Sequence, residues 1–246
     1  MNANHDIMRE LDEFSHLYSQ RPIFDNSGGM KSPHMFGLYR WLKDHQPELI
    51  IESGIWKGQG TWLLRKTCPS SRIISIDVNM SNRVFVDERA SYYDKDITTL
   101  DLKSLVRNFD QDKVLVFFDD HQNFDNRVDF LIESKVRHVI FEDNYPTGQG
   151  DCVSPKKLIE ASERNEEIQE KYAKLSAERV RSIRNKIEKY TELQPIFVDS
   201  MTRWKVPWSY ETVKPLLSHD DSHAYKDFFD ERFDYTWICH LELKNE

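Results

Sequence analysis

Cysteine is scarce in this chain and its 34 basic residues are outnumbered by 42 acidic ones, and each of these excludes something. The three cysteines, Cys68, Cys152 and Cys239, are odd in number and widely spaced. With no CxxC pair among them, neither a disulfide framework nor a structural zinc site is indicated, and they read as ordinary buried or half-buried thiols. The formal net charge is −8, which argues against general attraction to a nucleic-acid backbone or an anionic lipid surface. No basic tract and no Asn/Asp-Pro-Pro-aromatic motif for a flipped base is present. No apolar run approaches the ~20 residues of a membrane span, and Met1 to Asp6 hold no basic segment leading into an apolar core. The expectation is a cytoplasmic protein with neither nucleic acid nor membrane as partner.

What is there is alternation. Ile7, Met8, Leu11, Phe14 and Leu17 fall at helical spacing, Pro22 and Asn26-Ser27-Gly28-Gly29 break the pattern, and a second helix runs from about His34 to Asp44. Together they form a helical cap over residues 1–45. Strand-like apolar runs at Leu49–Glu52, Ile73–Asp77, Val114–Phe118 and His138–Glu142 then alternate with helical segments at Gly60–Lys66, Leu100–Asn108 and Phe124–Ser134. This predicts an α/β fold with a parallel sheet covered on both faces, in one domain over 1–246. The long polar stretch Pro155–Tyr190 has a thin apolar stripe at Ile168, Tyr172, Leu175, Ile183 and Ile187. It reads as a long helix or helical hairpin. As an insertion over 155–191 it would be a solvated helix on the core, a lid, or an arm between copies in a homo-oligomer. Ile196–Val198 and Tyr235–Leu243 read as late strands around an aromatic, acidic insertion, Met201 to Phe233.

Four strand runs end in carboxylates: Glu52, Asp77, the Asp119-Asp120 pair and Glu142. In an open α/β sheet ligands bind beyond the carboxyl ends of the strands, near the switch in strand order, so these acids converge on one edge. Three of only eight glycines lie within the seven positions Gly54 to Gly60, directly after the first core strand. The G-x-x-x-G-x-G spacing differs from the dinucleotide fingerprint and lacks the Gly-Lys-Ser/Thr ending of a phosphate-cradling loop. Glu52 would also repel a pyrophosphate, yet it suits a ligand carrying sulfonium and ammonium groups.

Ile51-Glu52-Ser53-Gly54-Ile55-Trp56-Lys57-Gly58-Gln59-Gly60 resembles motif I of the class I S-adenosylmethionine (SAM)-dependent methyltransferases. The resemblance implies a Rossmann-like, doubly wound, mostly parallel seven-stranded sheet with an antiparallel last strand. It places Glu52 near the methionine end of SAM, Gly54, Gly58 and Gly60 beneath the cofactor, Asp77 on the ribose hydroxyls and Asp96 near the adenine. Asp77 also reads as a simple strand-end acid, and Asp96 equally well as a cap or loop acid.

Phe118-Asp119-Asp120-His121 and Phe141-Glu142-Asp143-Asn144 bring further acids to the same edge. They would repel one another unless a cation or a proton intervenes. Oxygen ligands suit Mg2+ before manganese or calcium, and a divalent ion would acidify a substrate hydroxyl, with His121 or a neighbouring acid taking the proton. Without a metal the same acids read as helix caps and strand-end groups. The two motifs resemble the cephalosporin hydroxylase and rhamnosyl O-methyltransferase family, and related macrolide-sugar O-methyltransferases, over about Ile50 to Asp151. By position the resemblance implies Asp120, Glu142 and Asp143 as metal ligands, with Asp119 the alternative to Asp120, and His121, Asp120 and Glu142 as the catalytic set. Phe118 stands where that family commonly has an acid.

The expected function is SAM-dependent, metal-assisted O-methylation of a hydroxylated small molecule such as a sugar or glycosylated metabolite. The alternatives are a SAM-binding module without catalysis, and a nucleotide-sugar or nicotinamide-dependent enzyme, which the glycine spacing disfavours. Trp56, Trp62, Trp204 and Trp208 read as core or as an acceptor pocket, Tyr145–Asp151 as a closing segment or a surface turn, and His34 as a surface histidine before a cover over the cofactor.

Overall fold

Strands that are apolar along their whole length need cover on both faces. The computed structural model, which describes residues 3–205, 207–208 and 213–244, provides it. Helices α1 (Ala3–Tyr18) and α2 (Ser32–His45) lead into β1 (Leu49–Ser53), α3 (Gln59–Thr67), β2 (Arg72–Asp77), β3 (Ser91–Asp94), α4 (Leu102–Val106), β4 (Val114–Phe118), α5 (Val128–Glu133) and β5 (His138–Phe141). There follow α6 (Pro155–Arg164), a hairpin of β6 (Ile168–Glu170) and β7 (Ala173–Leu175), α7 (Ala177–Lys186), β8 (Ile187–Glu192), α8 (Lys226–Asp230) and β9 (Cys239–Leu243). The main sheet has seven strands in the order β3-β2-β1-β4-β5-β9-β8. Only β9, the last strand, runs against its neighbours, pairing antiparallel with β5 and β8. This is the Rossmann-like, doubly wound architecture the sequence predicts.

Successive strand residues divide between two cores. Ile50, Ile73, Leu115, Phe117 and Ile140 pack with α1, α2, α3 and the segment around Trp237. Their neighbours Ile51, Ile74, Val116, Phe118 and Val139 pack with α4, α5, α6 and α7 on the other face. Each fully buried aliphatic side chain stabilises the fold by roughly 1.5–3 kcal/mol through burial alone, which is why the strand runs stay apolar in both phases of the pleat.

Two expectations about segments need correction. Residues 155–191 are not a long helical arm. Ser154 caps α6, Asn165 ends it in the left-handed region (φ 55°), and Ser176 caps α7. The apolar stripe imitated one helix because its members belong to several elements: Ile168 in β6, Leu175 in β7, Ile183 in α7 and Ile187 at the start of β8. The penultimate strand is therefore Ile187–Glu192, whereas Ile196–Val198 is buried chain without strand pairing. Strand β3 carries no apolar run, since Ser91-Tyr92-Tyr93-Asp94 is an edge strand at most half-buried. Val206 and residues 209–212, inside the aromatic insertion, lie outside the described residues. Among the described residues no helix is long and apolar enough to cross a membrane.

Candidate functional site

Strand register builds the site. Ser53 pairs with Phe118 across β1 and β4, and Phe118 with Phe141 across β4 and β5. The next residue of each strand, Gly54, Asp119 and Glu142, therefore falls in one row at the carboxyl edge. Backbone bonds continue the ladder there: Asp119 N–H donates to Ser53 O at 2.8 Å and Glu142 N–H to Phe118 O at 2.9 Å. In the order β3-β2-β1-β4-β5 the strands after β1 are added first on one side of it and then, from β4, on the other, so the strand order switches between β1 and β4, the point at which such sheets hold ligands.

Gly54 sits at this seam with φ +95°, and a Cβ there would lie 1.9 Å from Asp119 O. No other residue type lets the two turns approach so closely. Beyond the turn, Asp77 Oδ2 accepts from the amides of Ile55 (2.8 Å) and Trp56 (3.2 Å), fixing the glycine loop to the end of β2. A cleft opens above, lined by Gly54, Trp56, Asp77, Asp96 and Asp120. Asp96 caps the turn Ile97–Thr99 and also forms a two-point ion pair with Arg127 at 3.0 and 3.2 Å, so its cap role and its place on the cleft wall coexist. Burial opposes ionisation of Asp96, but the bonds from Thr98 and the Arg127 guanidinium hold its carboxyl below the ordinary value.

Three expected cofactor residues lie away from the cleft wall. Gly58 is the cap residue just before α3 and Gly60 lies in its first turn. Glu52, expected at the methionine end, points into the layer between the sheet and α3, because the pleat turns it opposite to Ser53. It is fully buried and accepts from Thr61 Oγ1 (2.5 Å) and Ser75 Oγ (2.6 Å). Burial outweighs these bonds and pushes its pKa up to about 7. Glu52 thus ties the first turn of α3 to β2.

The second cleft shares Gly28, Gly29, Asp119 and His121 with the first and continues to Glu142 and Asp143. One carboxylate oxygen from each of Asp119, Glu142 and Asp143 lies within 4.8 Å of the others. Asp120, expected as a ligand, is not in this group. It alternates to the other side, where it accepts from Ser53 Oγ (2.6 Å) and Arg127 (3.0 Å). Asp119 takes its place. Burial, then repulsion from neighbouring carboxylates, raises Asp119 and Glu142 well above ordinary acids. Three such groups need shared protons or a cation, and an all-oxygen set open to a cleft fits a hard divalent ion.

Asp143 is oriented by Tyr145 Oη–H (2.9 Å) and by the backbone N–H of His121 (3.0 Å). His121, in the left-handed region (φ 53°) and half exposed, turns Nδ1 toward Asp151 at 3.2 Å and Asp143 at 3.3 Å. Burial lowers its pKa, but the Asp143 and Asp151 carboxylates outweigh this and the net direction is upward.

Sequence reasoning missed three contributors. His34 is not on the surface: it is 2% exposed and reaches Glu142. Arg127, also 2% exposed, joins Asp96 to Asp120, and nothing in its local sequence marks it. The turn Gly28-Gly29 lines both clefts, held where Trp56 Nε1–H donates to Ser27 O at 3.1 Å. Of the four tryptophans singled out, Trp56 lines the first cleft, whereas Trp62 and Trp208 are buried in the core.

No family model and no curated protein matches the chain. Among solved structures it is similar to apo CmcI, at 18% identity over 46% of this chain and 53% of that one, with a TM-score of 0.40. The match therefore spans about half of the CmcI chain. It is also similar to an O-methyltransferase from Bacillus cereus in complex with SAH (12% identity, 96% of this chain and 91% of that one, TM-score 0.46). A third is the MycE methyltransferase of the mycinamycin biosynthetic pathway in complex with Mg and SAH (16% identity, 96% and 54%, TM-score 0.47).

Proposed function

We propose that the protein is a SAM-dependent methyltransferase that methylates a hydroxyl of a small molecule such as a sugar, assisted by a divalent cation held by Asp119, Glu142 and Asp143. The observation that carries this reading is the pair of clefts with a common wall. One is organised by the motif I-like loop and Asp77, the other by three gathered carboxylates, and Asp119 and His121 belong to both.

SAM, when bound, brings a methyl group on a positively charged sulfur. Asp77 and Asp96 would take the nucleoside half, and the acidic wall between the clefts favours the sulfonium end. A divalent cation, when bound, neutralises the carboxylates and makes a hydroxyl beside it more acidic. The chain's own work is to hold the acceptor oxygen in line and to move its proton. With Nδ1 of His121 facing Asp151 and Asp143, Nε2 is the nitrogen assigned to that proton, and the two carboxylates stabilise the imidazolium that forms.

Calorimetry with S-adenosylhomocysteine (SAH) and with NAD tests the cofactor: SAH binds and NAD gives no heat, and the reverse would end the methyltransferase reading. Asp77→Ala should weaken SAH binding by about 10- to 100-fold, the equivalent of losing charged hydrogen bonds of roughly 1.5–3 kcal/mol. Asp77→Asn, which keeps one acceptor oxygen, should lose less. Equal affinities across the three proteins would remove Asp77 from the site.

A further inference from the structure

His34 stands in the first turn of α2, just after Ser32 and Pro33. The start of α2 has no side-chain cap of its own, and Lys31 occupies the cap position. Glu231, from the far end of the chain, supplies one by accepting from Ser32 N–H at 3.0 Å and from Ser32 Oγ–H at 2.5 Å. The same carboxylate accepts from Tyr18 Oη–H at 2.8 Å. The helix start is thus clamped between α1 and the segment leading to β9, and His34 is fixed with it.

The imidazole is then bonded at both nitrogens. The backbone N–H of Thr236 donates to Nε2 at 2.8 Å. An amide can only donate, so Nε2 carries a lone pair and the ring hydrogen of the neutral imidazole sits on Nδ1. Nδ1 in turn meets Glu142 Oε1, and this bond is buried. The segment that sets the tautomer is also stitched to the acidic turn, since Asn144 N–H donates to Trp237 O at 3.3 Å.

We propose that His34 is a positioning residue: through Nδ1–H it holds Glu142 in the orientation in which that carboxylate joins Asp119 and Asp143 around a divalent cation. The inference rests on the metal reading above and adds a part of the site that begins in α2, far in sequence from Asp119, Glu142 and Asp143. Outer hydrogen bonds of this kind orient ligating groups, and losing one typically costs 10- to 100-fold in metal affinity. The bond also leaves less conformational freedom for Glu142 to lose when a cation binds.

Two measurements test it. In manganese titrations of the whole protein, H34Q, whose longer amide reaches the Nε2 position and leaves Glu142 without its donor, should lose about 10- to 100-fold in affinity. H34N, whose amide N–H occupies the Nδ1 position, should lose less than about tenfold. SAH affinity should be unchanged in both. H34Q binding manganese as tightly as wild type, or H34N falling as far as H34Q, would overturn the positioning role. The second measurement needs no variant: long-range proton–nitrogen NMR of the wild-type protein should find His34 as the Nδ1–H tautomer, with Nδ1 shifting on addition of Mg2+. An Nε2–H tautomer, or a resonance indifferent to Mg2+, would also overturn it. A wild-type protein that binds neither ion defeats the metal reading itself, an outcome distinct from the other failures.

Discussion

Glu142→Gln is expected to lower methyl transfer by about 10³-fold, the scale on which single electrostatic groups at reacting centres act, while SAH binding stays close to wild type. The substitution preserves shape and removes one negative charge. Glu142 is 6% exposed, between His34 and the neighbouring acids, so a smaller side chain would leave a cavity and confuse packing with chemistry. The glutamine oxygen can still accept from His34 Nδ1–H, and the fold should hold. What is lost is one of the three anionic oxygens that gather the cation, and with it the acidification of the acceptor hydroxyl. Glu142 does not line the SAM cleft, hence the expected separation of the two effects. Steady-state turnover and SAH calorimetry on the same preparations make the comparison. Undiminished turnover would remove the metal from the reaction. A parallel loss of SAH affinity would show that the two clefts are not separable.

Gly54→Ala is expected to damage both clefts together and to destabilise the fold by about 3 kcal/mol or more, in the range reserved for strain and overpacking. The methyl group would meet backbone, at 1.9 Å from Asp119 O and 2.4 Å from its carbonyl carbon, on a residue with φ +95°. Backbone in the middle of a sheet cannot step aside cheaply. Gly54 N–H donates to Ile76 O and Asp119 N–H to Ser53 O, so relief of the clash means opening the β1–β4 seam. Asp119 moves with it, taking a carboxylate out of the acidic cluster. For a chain of this size the loss corresponds to a Tm lower by roughly 6–12 °C. Gly148→Ala is the control: it also has positive φ (+78°) but nothing lies within 4 Å of its Cβ, so only the backbone cost of a left-handed conformation, about 1–2 kcal/mol, applies. A Gly54→Ala protein that melts like the Gly148→Ala control and still binds SAH would contradict the seam.

The four central strands were legible because burial on both faces forces an unbroken apolar run, and the acids at their ends were legible because such runs stop abruptly. Strand β3 was hidden for the opposite reason: at the sheet edge, Tyr92 and Tyr93 are only half covered. The stretch 155–191 deceived because burial against a common core aligned apolar residues from β6, β7, α7 and β8 into a pattern resembling one helix. Within the site, residue type was readable and side was not. Asp119 and Asp120 are adjacent acids, and only the pleat decides that the first joins Glu142 and Asp143 while the second turns to Ser53 and Arg127. The same alternation sends Glu52 to the first turn of α3. The roles of His34 and Arg127 were not legible, since His34 meets Glu142, 108 positions away, and Arg127 ties Asp120 to Asp96, 31 positions away.

The most direct test is a crystal of the protein grown with SAH and manganese, read by electron density and by anomalous scattering. SAH should lie in the first cleft, with its ribose at Asp77 and its backbone path over Gly54, and one anomalous peak should lie between Asp119, Glu142 and Asp143. SAH outside that cleft, or manganese bound at Asp120 with the three carboxylates bare, would contradict the proposed site.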